Sequence, residues 1–112
     1  MNWLRKFFRR RQLERYEVFY AINPTFTEHT PRTLGEILSN YVKVADVWAT
    51  SLEEVYAKMQ GCNWSPRGEA NEYIKRLGLS HTSMSVGDLV RDSRGNWYVC
   101  ANVGFIPFKP QP

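Results

Sequence analysis

The chain has 112 residues, 43% of them hydrophobic and 14% aromatic, which suits one domain and excludes wholesale disorder, because that much large side-chain surface offsets the entropy of ordering the backbone. No apolar run approaches the ~20 residues of a membrane span and no secretory leader pattern opens the chain, so the expectation is a soluble, unprocessed protein of the cytoplasm. The net charge of +4 is concentrated: residues 1 to 15 hold Arg5, Lys6, Arg9, Arg10, Arg11 and Arg15 against Glu14, a net +5, and the rest of the chain carries −1.

In the opening stretch Trp3/Phe7 and Leu4/Phe8 are i,i+4 pairs, so a short helix would gather aromatics on one side and arginines around the remainder. Residues 1 to 15 are therefore read as a basic amphipathic arm and residues 16 to 112 as one α+β domain. Tyr16, Val18, Tyr20 and Ile22 alternate at the period of a strand, which Asn23 and Pro24 close. A polar loop to Pro31 follows. Thr33 and Glu36 have capping-box spacing, predicting a short helix to Ser39 in which Glu36 reaches back to the Thr33 backbone. The β-branched and aromatic run of residues 41 to 48 predicts a second strand, with Lys43 and Asp46 marking an edge or half-exposed face.

Ser51 and Glu54 form a second capping box, followed by Leu52, Val55, Tyr56 and Met59 at helical spacing, with Gly61 in the C′ position. A further helix is predicted from Ser65, with Pro66 in its first turn, the stripe Ala70, Tyr73, Ile74 and Leu77, and Gly78 as its stop. Cys62-Asn63-Trp64 would join the two. Beyond the polar run from Ser80, the segment 89 to 91, the turn 92 to 96 and the segment 97 to 101 read as a hairpin, the most regular part of the sheet. Gly104 precedes Phe105, Ile106 and Phe108, and Pro107 and Pro110 put that last segment at an edge. The predicted architecture is a small antiparallel or mixed sheet with two main helices, about 51 to 60 and 66 to 77, on one face and a C-terminal β-hairpin.

The block Gly78-Leu79-Ser80-His81-Thr82-Ser83-Met84-Ser85-Val86-Gly87-Asp88, with Tyr98 and Val103-Gly104-Phe105 after the turn, resembles the small domain called YodL-like. The resemblance spans residues 50 to 108 and takes in Ser51-Leu52-Glu53-Glu54-Val55-Tyr56, Met59-Gln60-Gly61 and Asn63-Trp64-Ser65-Pro66. Such domains occur in phage, plasmid and large polyvalent mobile-element proteins, so the resemblance implies a bacterial host cell and an accessory role. The arginine-rich start and the Ile106-Pro107-Phe108 ending depart from the family pattern.

Three sets of residues are candidates for chemistry or binding. Ser80, His81, Thr82, Ser83, Ser85 and Asp88 contain the residue types of a nucleophile, base and orienting acid, or alternatively the caps and turn partners of a loop leaving a helix for a hairpin. Trp64 and His81 are candidate partner contacts, Trp64 being either exposed for stacking or packed as a hydrophobic staple. The six arm cations suit phosphate, an anionic membrane or acidic protein surface, or simple solvation around aromatics that close the core.

Cys62 and Cys100 share no ligand spacing with each other or with His29 and His81, and no phosphate loop or calcium loop is present, so no metal or cofactor is expected and both thiols are read as reduced. The expected function is that of a non-enzymatic accessory protein binding a host or element macromolecular complex as an anti-defence inhibitor. The alternative is binding of DNA or RNA through Arg5, Lys6, Arg9, Arg10, Arg11 and Arg15. A small hydrolase built on His81 is a third class.

Overall fold

In the computed structural model, residues 12 to 112 are described. The first strand, β1 (Glu14–Ala21), buries Tyr16, Val18 and Tyr20 at alternate positions, as a period-two pattern dictates when one face meets the main core. It starts before residue 16, so Arg15 belongs to the sheet, where its Nε lies 3.2 Å from Asp46 Oδ1.

The first helix, α1 (Leu34–Asn40), is capped by Thr33, whose hydroxyl accepts the Glu36 N–H. The other half of the predicted box is displaced: the Glu36 carboxylate accepts the Arg32 N–H at 2.5 Å instead of that of Thr33. The Thr33 region is held elsewhere, by a parallel bridge to Gln111 in which Leu34 N–H donates to Gln111 O at 2.8 Å and Gln111 N–H to Arg32 O at 2.9 Å. The end of the described chain thereby straps α1 to the sheet.

Strand β2 (Tyr41–Ala49) follows and pairs with β1 over the longest ladder in the sheet, eight residue pairs interrupted by a bulge that leaves Val44 unpaired. The sheet is finished by β3 (Leu89–Arg91), β4 (Trp97–Cys100) and β5 (Phe105–Phe108), in the order β2-β1-β3-β4-β5 with every neighbouring pair antiparallel. Of the two predicted sheet types it is the antiparallel one. The C-terminal hairpin is present, extended by β5 into a three-stranded meander, although its three-pair ladder is shorter than that of β1 and β2.

Between β2 and β3 lie α2 (Leu52–Lys58), the one-turn α3 (Gly61–Trp64) and α4 (Asn71–Arg76). Ser51 caps α2 as its spacing predicts, its Oγ accepting Glu54 N–H at 3.1 Å. Gly61 does not terminate that helix in a left-handed C′ conformation. It opens α3, where its N–H donates to Ser83 Oγ at 2.8 Å and an added Cβ would sit 3.1 Å from the same atom. The helix predicted from Ser65 begins later, because Gly68 turns left-handed at φ +80° and Ser65 Oγ takes the Ala70 N–H, making residues 65 to 70 a turn. Its predicted end holds: Gly78 has φ +76° and Leu79 N–H closes back on Ile74 O.

The two predicted helices do pack on one face, where Val55, Met59, Ala70 and Ile74 meet Tyr16, Val18, Tyr20, Val90 and Cys100 in a cluster of fourteen buried residues. Among the described residues the opposite face is covered by α1 alone, and only Ile37, Leu89, Trp97 and Val99 are buried there. With about 1.5–3 kcal/mol gained per large aliphatic side chain fully buried, the first face supplies most of the stability.

Both sheet edges are blocked. On β2, Tyr73 OH donates to the unpaired Val44 carbonyl at 2.6 Å and Lys58 Nζ to Trp48 O at 2.7 Å, while β5 carries Pro107, which has no N–H to offer. Among the described residues no helix is long and apolar enough to cross a membrane.

Candidate functional site

The polar run from Ser80 to Asp88 folds around one buried carboxylate. Asp88 is 1% exposed; its Oδ1 accepts Ala21 N–H at 2.9 Å, and its Oδ2 accepts Ser85 N–H at 2.8 Å and lies 2.9 Å from His81 Nε2. A carboxylate already accepting two backbone N–H groups is completed by a third donor, which assigns the imidazole proton to Nε2. The other ring nitrogen, Nδ1, is buried without a hydrogen-bond partner.

The ring of His81 stacks on Tyr20, centroids 4.6 Å apart and planes within 15°, with Phe26 edge-on at 6.2 Å. Phe26 is held at φ 57°, a left-handed conformation uncommon for a residue with a side chain. Its loop passes close to Gly87, where φ is +98° and a Cβ would come within 2.7 Å of Thr27 O, so only glycine fits.

Two of the candidate nucleophiles around His81, Ser83 and Ser85, are committed elsewhere. Ser83 Oγ accepts the Gly61 N–H and Ser85 Oγ donates to Ser83 O at 3.1 Å; among the described residues no hydroxyl is hydrogen-bonded to His81. Tyr20 OH donates to Thr82 O at 2.7 Å, and burial, then the nearby Asp88 charge, pushes its pKa far above the ordinary phenol value. The buried Cys100 thiol is pushed up to about 11, again by burial first and Asp88 second, so it carries little thiolate at neutral pH. Cys62 is exposed. In this geometry Asp88 ties β1 to the 80–88 loop, the turn-capping role open to it from sequence.

Trp64 ends α3 half-buried against the main core, and its indole N–H donates to Thr82 O at 3.1 Å. Trp64, Tyr20 and His81 therefore converge on the same loop, and none lies in the groove described next. Among the arm cations, Arg5, Lys6, Arg9, Arg10 and Arg11 lie outside the described residues, as does the aromatic pattern of Trp3, Leu4, Phe7 and Phe8. Arg15 is half-exposed in β1 beside Asp46. No group of three or more His, Cys, Asp or Glu among the described residues is placed to hold a metal ion.

A second candidate site occupies the thinly covered face. Between α1 and the sheet runs a groove of about 930 Å³, walled by Leu34, Ile37 and Leu38, floored by Phe19 and Trp97, and closed on the far side by Phe108 with Pro107 and Pro110. The aromatic floor is continuous: Phe19 and Trp97 have centroids 5.1 Å apart, Trp97 and Phe108 6.2 Å, and the Arg91 guanidinium lies 5.7 Å from the Trp97 ring centre. Leu38 is 81% exposed at the rim. Ile37 is buried one position away, so α1 presents one apolar side chain down and its neighbours outward.

Sequence reading did not find this groove. A signal was present in Trp97-Tyr98-Val99-Cys100, where apolar residues occupy consecutive positions instead of alternating, the mark of a strand covered on both faces. No family model matches the chain, and neither a curated protein nor a solved structure does.

Proposed function

We propose that the protein is a non-enzymatic accessory protein of a phage or mobile element that binds a host or element-encoded macromolecular complex as an anti-defence inhibitor, with the groove under α1 as its contact surface. The observation that carries the binding surface is the exposed Leu38 above an aromatic floor. An apolar cleft with a few polar groups at its rim is the usual form of a recognition site, whereas His81 and Asp88 are occupied in holding the fold. The resemblance of residues 50 to 108 to YodL-like domains supports the genomic setting.

A second reading, nucleic-acid binding, is favoured by six cations within residues 1 to 15. Phosphate neutralisation by such an arm gives affinity that falls steeply with salt.

One purification separates the two. The tagged full-length chain, its Leu38→Glu variant and its Arg9→Ala/Arg10→Ala/Arg11→Ala variant are each recovered from bacterial cells with and without nuclease. A defined protein complex that survives nuclease and is lost with Leu38→Glu is the expected result. Nuclease-sensitive nucleic acid lost only with the triple variant would replace the first reading by the second.

A further inference from the structure

We infer that the groove takes an acidic amphipathic segment of a protein partner, apolar side chains flanked by carboxylates, an inference that rests on the groove being the binding surface. Its lining contains two cations, Arg91 and Lys109, and no carboxylate among the described residues. Arg91 leans over the Trp97 ring and reaches Glu17 at 3.3 Å, but that same carboxylate also serves Lys43 at 3.0 Å. Lys109 has no ion pair among the described residues. Exposed Arg94 lies in the turn whose neighbours Gly95 and Asn96 form one end of the groove.

Asp92, in that same turn, has its carboxylate accepting from the Arg94 and Asn96 N–H groups and from Tyr98 OH, which leaves Arg94 and Lys109 as the nearby cations with no ion pair among the described residues. Cations at the rim of an apolar cleft accelerate encounter with, and select for, an oppositely charged partner.

Side-chain insertion, and not strand addition, is the mode the sheet permits. Strand addition needs a free row of backbone donors and acceptors, yet Tyr73 and Lys58 occupy carbonyls along β2 and Pro107 interrupts β5. The groove volume of about 930 Å³ is at the upper end of the range of about 300–1,000 Å³ found for ligand pockets, room for several large side chains in a row.

The test uses the full-length chain and three fluorescein-labelled synthetic peptides: one with Leu and Phe at i, i+3, i+4 and i+7 spacing and Glu elsewhere, a twin with Lys in place of Glu, and a twin with Ser in place of Leu and Phe. Binding is read by anisotropy at low and moderate salt. The acidic apolar peptide is expected to bind at least about tenfold more tightly than either twin, to lose about tenfold with Leu38→Glu, and to weaken with Lys109→Ala at low salt only. Both substituted positions are exposed, so the variants keep the fold.

Equal binding of the Lys twin, or failure of all three peptides, overturns the inference. Equal binding of the Ser twin also overturns it, because the arm cations alone would then account for the attraction. The groove reading fails separately: a protein complex still retained by Leu38→Glu refutes it, whereas a complex lost with Leu38→Glu alongside a failed acidic peptide refutes only the charge assignment.

Discussion

The two faces of the sheet are built to different densities. On the face under α2 and α4, fourteen buried residues interlock and Val18, Tyr20, Val55 and Val90 have no exposed surface. On the face under α1, four of the described residues are buried and the neighbouring Leu34, Leu38 and Phe108 line an open groove. Such an asymmetry assigns most of the folding energy to one side and leaves apolar area on the other, among the described residues, for the partner proposed above, because a surface already committed to dense packing has little apolar area left to bury on binding. The polar residues divide likewise: Asp88 is enclosed by its donors, whereas Arg91 and Lys109 remain at a rim.

The largest expected effect breaks the closed side. Asp88→Ala leaves the N–H groups of Ala21 and Ser85 and the His81 ring without their acceptor, and should cost about 3–5 kcal/mol of stability by urea unfolding, because each buried donor left unsatisfied costs about 1–3 kcal/mol. A loss under about 1 kcal/mol would mean that the loop is anchored by its other contacts and that Asp88 is dispensable.

Next in size are the two helix caps, which compare the faces directly. Thr33→Ala and Ser51→Ala each remove a hydroxyl that accepts the N–H three residues on, and each should cost about 1 kcal/mol. Hydrogen exchange distinguishes them: Thr33→Ala should open the amides of α1 with the core amides of β1 and β3 still protected, whereas Ser51→Ala should loosen α2 and lower protection throughout the core that Val55 fills. Equal patterns would show that the two faces unfold as one unit.

Leu38→Ser should change stability by no more than about 0.5 kcal/mol, since the side chain is 81% exposed. A thermal melt within a degree or two of the unsubstituted protein is therefore expected, and a large destabilisation would mean that Leu38 belongs to the core and not to a binding rim.

The smallest effect is on pH dependence. The Glu36 carboxyl is held below the usual glutamate value of 4.5 by the Arg32 N–H and then by His29. A lowered folded-state pKa contributes stability that is present above the unfolded value and is lost as pH falls through the folded one. Glu54, at the start of α2, is also lowered, by Thr50 and then Lys58, but α2 has Val55 and Met59 seated in the main cluster beneath it. Acidification below about pH 4.5 should therefore raise amide exchange in α1 before α2, and simultaneous opening would contradict the division between the faces.

Local chemistry made much of the fold legible. The alternation of Tyr16, Val18 and Tyr20, the caps Thr33 and Ser51, and the stop at Gly78 are short-range patterns whose energetics involve residues a few positions apart, and each stands where its pattern places it. Gly61 and Ser65 misled because their roles are set at a distance: the Ser83 hydroxyl fills the space an alanine would need at 61, and Ser65 turns its hydroxyl to Ala70 instead of continuing a helix.

The candidate site was less legible for the same reason. Asp88 and His81 are seven residues apart and visible together, but the Ala21 donor that makes Asp88 a clamp comes from β1, 67 positions away. Phe19, Leu38, Trp97 and Phe108 come from β1, α1, β4 and β5 and share no local pattern. The sequence by itself determined the strands, the capped helices and the concentration of charge before residue 16, because propensity, capping and charge act through near neighbours. Which aromatic residues meet across the sheet, and which face is left thinly covered, was decided by strand order and by the Gln111 strap on α1, contacts that exist only once distant segments are paired.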